Sequence, residues 1–135
     1  MMRTILIVED NEDCRKILEL SLARIPGALV RAVATAEEAL PHLLSGEVGA
    51  LVTDLGLPQM NGYELIELFR TQSGCSKVPV IIVTADISPD AQTRAAASGA
   101  NAFFTKPFYP SEIRQGLLSL IENPEAPLFG RSANA

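Results

Sequence analysis

The sequence predicts an α/β domain built on a parallel sheet, and two observations predict it. Short runs rich in Ile and Val alternate five times with longer segments of helical spacing, the pattern of strand–helix crossovers. The inner runs are apolar throughout rather than alternating, as strands covered by helices on both faces are. The 135 residues suit one domain at roughly 150 residues per domain.

Taken in order, the first strand is expected at residues 4–8 and the first helix at 12–24, where Ile17, Leu18, Leu22 and Ile25 recur before Pro26-Gly27. A second strand at 29–33 leads to a helix at 36–45. Thr35 and Glu38 form a capping box there, each side chain satisfying a free amide. Pro41 lacks an N–H and is expected to kink or shorten that helix. The third strand, at 50–53, precedes Asn61-Gly62, read as a turn in which glycine supplies unusual backbone angles, and a helix at 62–72. The fourth strand lies at 79–84. Ser88-Pro89 then suits the cap and first turn of a helix at 89–98, with Gly99 closing it. A fifth strand at 102–105 and a helix at 111–122 complete a domain of residues 1–122. Residues 123–135 lose all periodicity and are expected to form a flexible tail, with Leu128 and Phe129 the residues suited to docking.

Eleven Lys and Arg against sixteen Asp and Glu give a net charge of −5. A direct nucleic-acid partner needs a basic face and is not expected; a cation site is allowed. No apolar run approaches the roughly 18 residues of a membrane span, so no membrane insertion is expected. Met1-Met2-Arg3-Thr4 enters the first strand without room for a signal peptide. Cys14 and Cys75 match no metal or redox spacing and read as free thiols of a cytoplasmic protein. His42, the only histidine, is not expected to donate a phosphoryl group.

In an open parallel sheet, ligands bind beyond the carboxyl ends of the strands. Strand 1 ends in Glu9-Asp10, strand 3 in Asp54, strand 4 in Thr84 and strand 5 in Lys106. Three acids, a hydroxyl and an amine thus meet at one rim. At an effective dielectric near 20, two carboxylates 4 Å apart repel by about 4 kcal/mol. A divalent cation relieves this, and hard oxygen donors suit Mg²⁺. A carboxylate is a competent nucleophile for forming an acyl phosphate, and a cation, an amine and a hydroxyl together spread the charge of a phosphoryl group in transfer.

These residues resemble the receiver domain of two-component response regulators, of the single-domain, chemotaxis-regulator type. The resemblance rests on Ile5-Leu6-Ile7-Val8-Glu9-Asp10-Asn11, on residues 51–62 around Asp54, on Pro79-Val80-Ile81-Ile82-Val83-Thr84-Ala85, and on residues 99–108 around Lys106-Pro107. It covers about residues 3–122. It implies a flavodoxin-like, doubly wound five-stranded parallel sheet in the order 2-1-3-4-5 with five helices. By position, Asp54 resembles the phosphoacceptor and Asp10 the direct Mg²⁺ ligand, with Glu9 acting through water and the Gly56 backbone carbonyl as a further donor. Thr84 resembles the switch hydroxyl, Phe103 the aromatic switch residue, and Lys106 the phosphate-contacting amine, followed by a bond to Pro107 that is cis in the family.

The implied function is a phosphorylation-activated signalling switch. It would be charged by a phosphohistidine of a sensor kinase or histidine phosphotransfer protein, and would signal to a downstream protein through the face of the fourth helix, fifth strand and fifth helix. Such a protein is no enzyme beyond its own phosphorylation and dephosphorylation. Gly56 departs from the larger residue common in the family two places after the phosphoacceptor, and Tyr109 from the usual Asp or Ser cap. Two other readings are weaker. A phosphorylation-independent pseudo-receiver predicts a broken acid cluster, whereas all five polar residues are present. An aspartyl-nucleophile phosphatase of the haloacid dehalogenase type needs a second Asp two residues after the nucleophile, where Gly56 stands.

Overall fold

The computed structural model describes residues 4–72 and 74–129. Five strands, β1 (Thr4–Val8), β2 (Leu29–Val33), β3 (Val48–Thr53), β4 (Val80–Thr84) and β5 (Ala102–Thr105), alternate with five helices. These are α1 (Glu12–Leu22), α2 (Ala36–Leu44), α3 (Gly62–Arg70), α4 (Ala91–Ser98) and α5 (Pro110–Glu122). All strand pairs are parallel, in the order β2-β1-β3-β4-β5. This is the flavodoxin-like arrangement that the resemblance implies.

Alternation along each strand divides the core in two. Leu6 and Val8, Leu51, Val80 and Ile82, and Phe103 face α2, α3 and α4, packing with Ala36, Leu43, Leu65, Phe69 and Ala95. Ile5 and Ile7, Ala50 and Val52, Ile81 and Val83, and Ala102 face α1 and α5, packing with Leu18, Leu22, Ile113 and Leu117. The uniformly apolar runs therefore reflect burial on both faces. Only β2, at an edge, shows exposed positions.

Several sequence expectations are corrected by tertiary contacts. The helix expected from residue 12 to 24 ends at Leu22, its last turn tightening as Arg24 and Ile25 amides donate to the Ser21 and Leu22 carbonyls. Pro41 does not stop α2, which runs on to Leu44. Proline lies on the exposed side, where water can serve the released carbonyl. The fourth helix starts at Ala91 rather than at Pro89. Asp90 takes the cap position, and Ser88 donates its amide (2.8 Å) and its hydroxyl to Asp86 two residues before it.

The flexible tail expected from residue 123 is also corrected for residues 123–129; the rest of it, 130–135, lies outside the described residues. Leu128 is buried and forms a parallel bridge with Ala102 on the outer edge of β5. An open strand edge offers unpaired amides and carbonyls, and here Leu128 satisfies the Asn101 carbonyl and the Phe103 amide.

Arg70 ties the opposite end of the sheet together. Its guanidinium donates to the carbonyls of Cys75 and Val78 (both 2.7 Å) and Gly99 (2.6 and 3.0 Å), and to Asn101 Oδ1 (2.8 Å). Its removal strands acceptors that are only partly reached by water. Arg70→Met is expected to lower the unfolding free energy by about 3 kcal/mol. A urea midpoint shift at unchanged slope measures this; an unshifted midpoint would show that the network carries no stability.

Candidate functional site

Register positions the site. Val8 pairs with Thr53 at the ends of β1 and β3, Thr53 pairs with Ile82, and β4 and β5 run two residues further to end paired at Thr84 and Thr105. The ladder continues one residue further: Glu9 N–H donates to Val33 O (3.0 Å), Asp54 N–H to Val8 O (3.1 Å) and Lys106 N–H to Thr84 O (2.7 Å). Glu9, Asp54 and Lys106 continue the alternation of Ile7, Val52 and Phe104, and so leave the sheet on its α1–α5 side. Thr84 has the opposite parity and is almost fully buried beside them.

The Lys106 ammonium is shared. Its Nζ lies 2.8 Å from Asp54 Oδ2, as a hydrogen bond, and 2.8 Å from Glu9 Oε1, as an ion pair. Glu9 is 1% exposed, and its Oε1 has no hydrogen bond in good geometry despite the nearby charge. Its Oε2 accepts the Asn11 amide (3.1 Å), which is how α1's first turn holds it. Carboxylate oxygens of Glu9, Asp10 and Asp54 lie within 4.8 Å of one another, Asp10 being exposed. The Lys106–Pro107 bond is cis.

Burial is the largest influence on Asp54 and raises its pKa. Hydrogen bonds from Lys106, Thr84 and the Gly56 amide, with the Lys106 charge, together outweigh it, so the carboxyl lies below its ordinary 3.8. Burial likewise opposes the Lys106 charge. Its bonds to Asp54 and Glu9 overcome this and hold the ammonium above its ordinary 10.5. Asp54 is therefore an anion and Lys106 a cation at neutral pH.

Asp54 lies at the base of an open cleft of about 370 Å³, which Gly56, Thr84, Asp86, Tyr63 and Arg94 also line. A Cβ at Gly56 would meet nothing within 4 Å, so no side chain screens the cleft at that position. Thr84 Oγ1 accepts the Asp86 amide at 3.2 Å. Phe103 is turned inward, 2% exposed, in the cluster that α4 covers.

The matched residues are those of a known family. The pattern of the response regulator receiver domain matches residues 5–118. The chain belongs to the response regulator receiver domain family. This receiver domain is 31% identical over 118 residues to the chemotaxis protein CheY of Pseudomonas aeruginosa, covering 87% of this chain and 95% of that one. It is also 31% identical over 117 residues to the sensory/regulatory protein RpfC of Xanthomonas campestris pv. campestris, covering 85% of this chain but only 16% of that protein. A CheY-like receiver domain protein from Methanospirillum hungatei superposes with a TM-score of 0.82 at 26% identity, covering 93% of this chain and 98% of that one.

Three contributors to this receiver site are not apparent from motif reading. Gly62 has no left-handed backbone; the positive φ of that loop, 70°, falls on Gln59. Glycine is needed because a Cβ at 62 would stand 2.2 Å from the Asp54 carbonyl and 2.8 Å from Leu55 Cα. This corrects the turn reading. Cys14 packs on Glu9, and burial with that carboxylate pushes its thiol up to about 12, keeping it protonated. Arg94 lies over the Tyr63 ring at 4.2 Å, a cation–π contact bracing α3 against α4 at the cleft. Only the glycine carries a signal in the sequence, as Asn61-Gly62 after the Asp54 loop.

The charge sharing makes a prediction. In Lys106→Met, burial acts on Asp54 unopposed by the ammonium, so its folded pKa rises above its unfolded value. Such a group contributes stability below the unfolded pKa and loses it as pH rises through the ordinary carboxylate range. The variant is therefore expected to be about 2 kcal/mol less stable than the parent at pH 7, with the deficit shrinking toward pH 4. Urea unfolding at both pH values checks this. A deficit that grows on acidification would contradict the assigned charges.

Proposed function

We propose that this receiver domain is a phosphorylation-activated signalling switch. It takes a phosphoryl group from a phosphohistidine of a sensor kinase or histidine phosphotransfer protein onto Asp54, with Mg²⁺, and signals to a downstream protein through the α4–β5–α5 face. The observation that carries this reading is the Lys106 ammonium at 2.8 Å from both Asp54 and Glu9, beside an exposed Asp10.

The donor set fits the metal. Three carboxylates and one ammonium leave a formal charge of −2 within a few ångströms, and all the donors are hard oxygens. Glu9, Asp10, Asp54 and the Gly56 carbonyl would hold Mg²⁺. Once bound, it would neutralise the phosphoryl oxygens as they approach.

The chain's own residues do the rest. An Asp54 carboxylate oxygen attacks phosphorus; the new acyl phosphate P–O bond forms as the P–N bond breaks. The electron pair leaves with the donor's imidazole. Lys106, already desolvated and fixed, meets the arriving anion without reorganising. In the free protein the Thr84 hydroxyl bonds the Asp54 carboxylate; in the phosphorylated state it would bond a phosphoryl oxygen instead, and such a difference in contact is what shifts a conformational equilibrium. Phe103 links that shift to α4. Gly56 leaves the acyl phosphate open to hydrolysis, so the protein catalyses only its own phosphorylation and dephosphorylation.

The same reading puts the protein in the cytoplasm, where thiols such as Cys14 and Cys75, neither in a disulfide, stay reduced. No helix among the described residues is long and apolar enough to cross a membrane.

Intact mass after incubation with acetyl phosphate and Mg²⁺ tests the assignment. The parent is expected to gain one base-labile phosphoryl group and Asp54→Asn none, since an amide is a poor nucleophile. Equal labelling of the two would move the nucleophile elsewhere.

A further inference from the structure

We propose that the chain's end, from Asn123 to Phe129, is a built-in occupant of the open edge of β5, and that a protein partner docks there by presenting an extended apolar segment in its place. The edge is used as a strand would use it. The Leu128 amide donates to Asn101 O at 2.8 Å, and its carbonyl accepts from the Phe103 amide at 3.4 Å, a single parallel step opposite Ala102. Pro127 before it has no N–H, so that position offers no donor on the outer side.

The side chains alternate across the edge. Leu128 enters the core layer on the α5 side, and Phe129 packs on the layer covered by α4. Two small residues shape the seat for Leu128. Ala102 carries no side chain beyond Cβ, and a Cβ at Gly116 would stand 3.4 Å from Leu128 Cδ1 and 2.9 Å from Phe104 Cζ. The segment is returned to the edge by a turn after α5, where the Asn123 amide donates to Ser119 O (2.8 Å) and the Ala126 amide to Asn123 O (3.2 Å).

The seat thus reads an extended peptide by two means: backbone pairing, and an apolar side chain on each face in succession. A tethered occupant holds such a seat at a high effective concentration, so an outside peptide binds only as the tail leaves. The same strand carries Phe103, paired with Ile82, and Thr105, paired with Thr84. That a change at Thr84 releases the tail rests on the function proposed above. The occupancy itself does not.

The test needs neither metal nor phosphoryl donor, so its outcome is independent of that function. A fluorescent synthetic peptide of residues 123–131 is titrated into the full chain, into the double variant Leu128→Asp/Phe129→Asp, and into Leu128→Met. The double variant is expected to bind the peptide about tenfold or more tightly than the parent, because the tethered competitor is gone, while Leu128→Met behaves as the parent. Equal binding to all three, or no binding to the double variant, overturns the proposal. Hydrogen exchange on the parent is a second reading that does not depend on any variant folding. The Leu128 amide is expected to exchange about tenfold or more slowly than in the free peptide. Exchange at the free-peptide rate overturns the proposal.

Discussion

One ammonium holds the site together. Lys106 Nζ sits 2.8 Å from carboxylates on two different strands, and these acids would otherwise repel across the sheet. Buried carboxylates so close are tolerable only while a cation lies between them. The arrangement is also incomplete, because one positive charge faces three negative ones. That shortfall is what a divalent cation would relieve in the function proposed.

The sheet makes this geometry reproducible. Each strand continues its ladder one residue beyond its end, so the backbones of Glu9, Asp54 and Lys106 are pinned by Val33, Val8 and Thr84. A slip of one register step would turn all three side chains to the other face. The loop after Asp54 is pressed closely by α3, where Gly62 leaves no room for a Cβ against the Asp54 carbonyl. The Asn61–Glu64 capping box fixes that helix start, each side chain bonding the other's amide at 2.9 and 3.2 Å. The placement of Asp54 is thus a backbone property, settled before any ligand arrives.

Much of this was legible in the sequence. The apolar runs locate β1, β2 and β5 as observed and β3 and β4 within two residues, because burial on both faces leaves an unmistakable pattern. The strand-end polar residues follow from topology alone. Local chemistry misleads where a non-local or competing partner intervenes. Ser88 looks like a helix cap, but Asp86 claims its amide and hydroxyl. Gly62 looks like a turn glycine, but its constraint is the approach of α3 to the loop after Asp54. Leu128 sits in a stretch without periodicity, and only the vacant edge of β5, remote in sequence, gives it a place. Arg70 looks like a surface helix residue, and the carbonyls it binds come from two separate loops, those before β4 and before β5.

In the function proposed, the charge shortfall at the strand ends would be made good by a divalent cation held by Glu9, Asp10 and Asp54. Calorimetric titration of Mg²⁺ into the parent and into Asp10→Ala tests it most directly, since Asp10 is exposed and its loss leaves the Lys106 pairing intact. The account predicts saturable binding in the millimolar range for the parent and none for the variant. Equal affinity in the two proteins would contradict it.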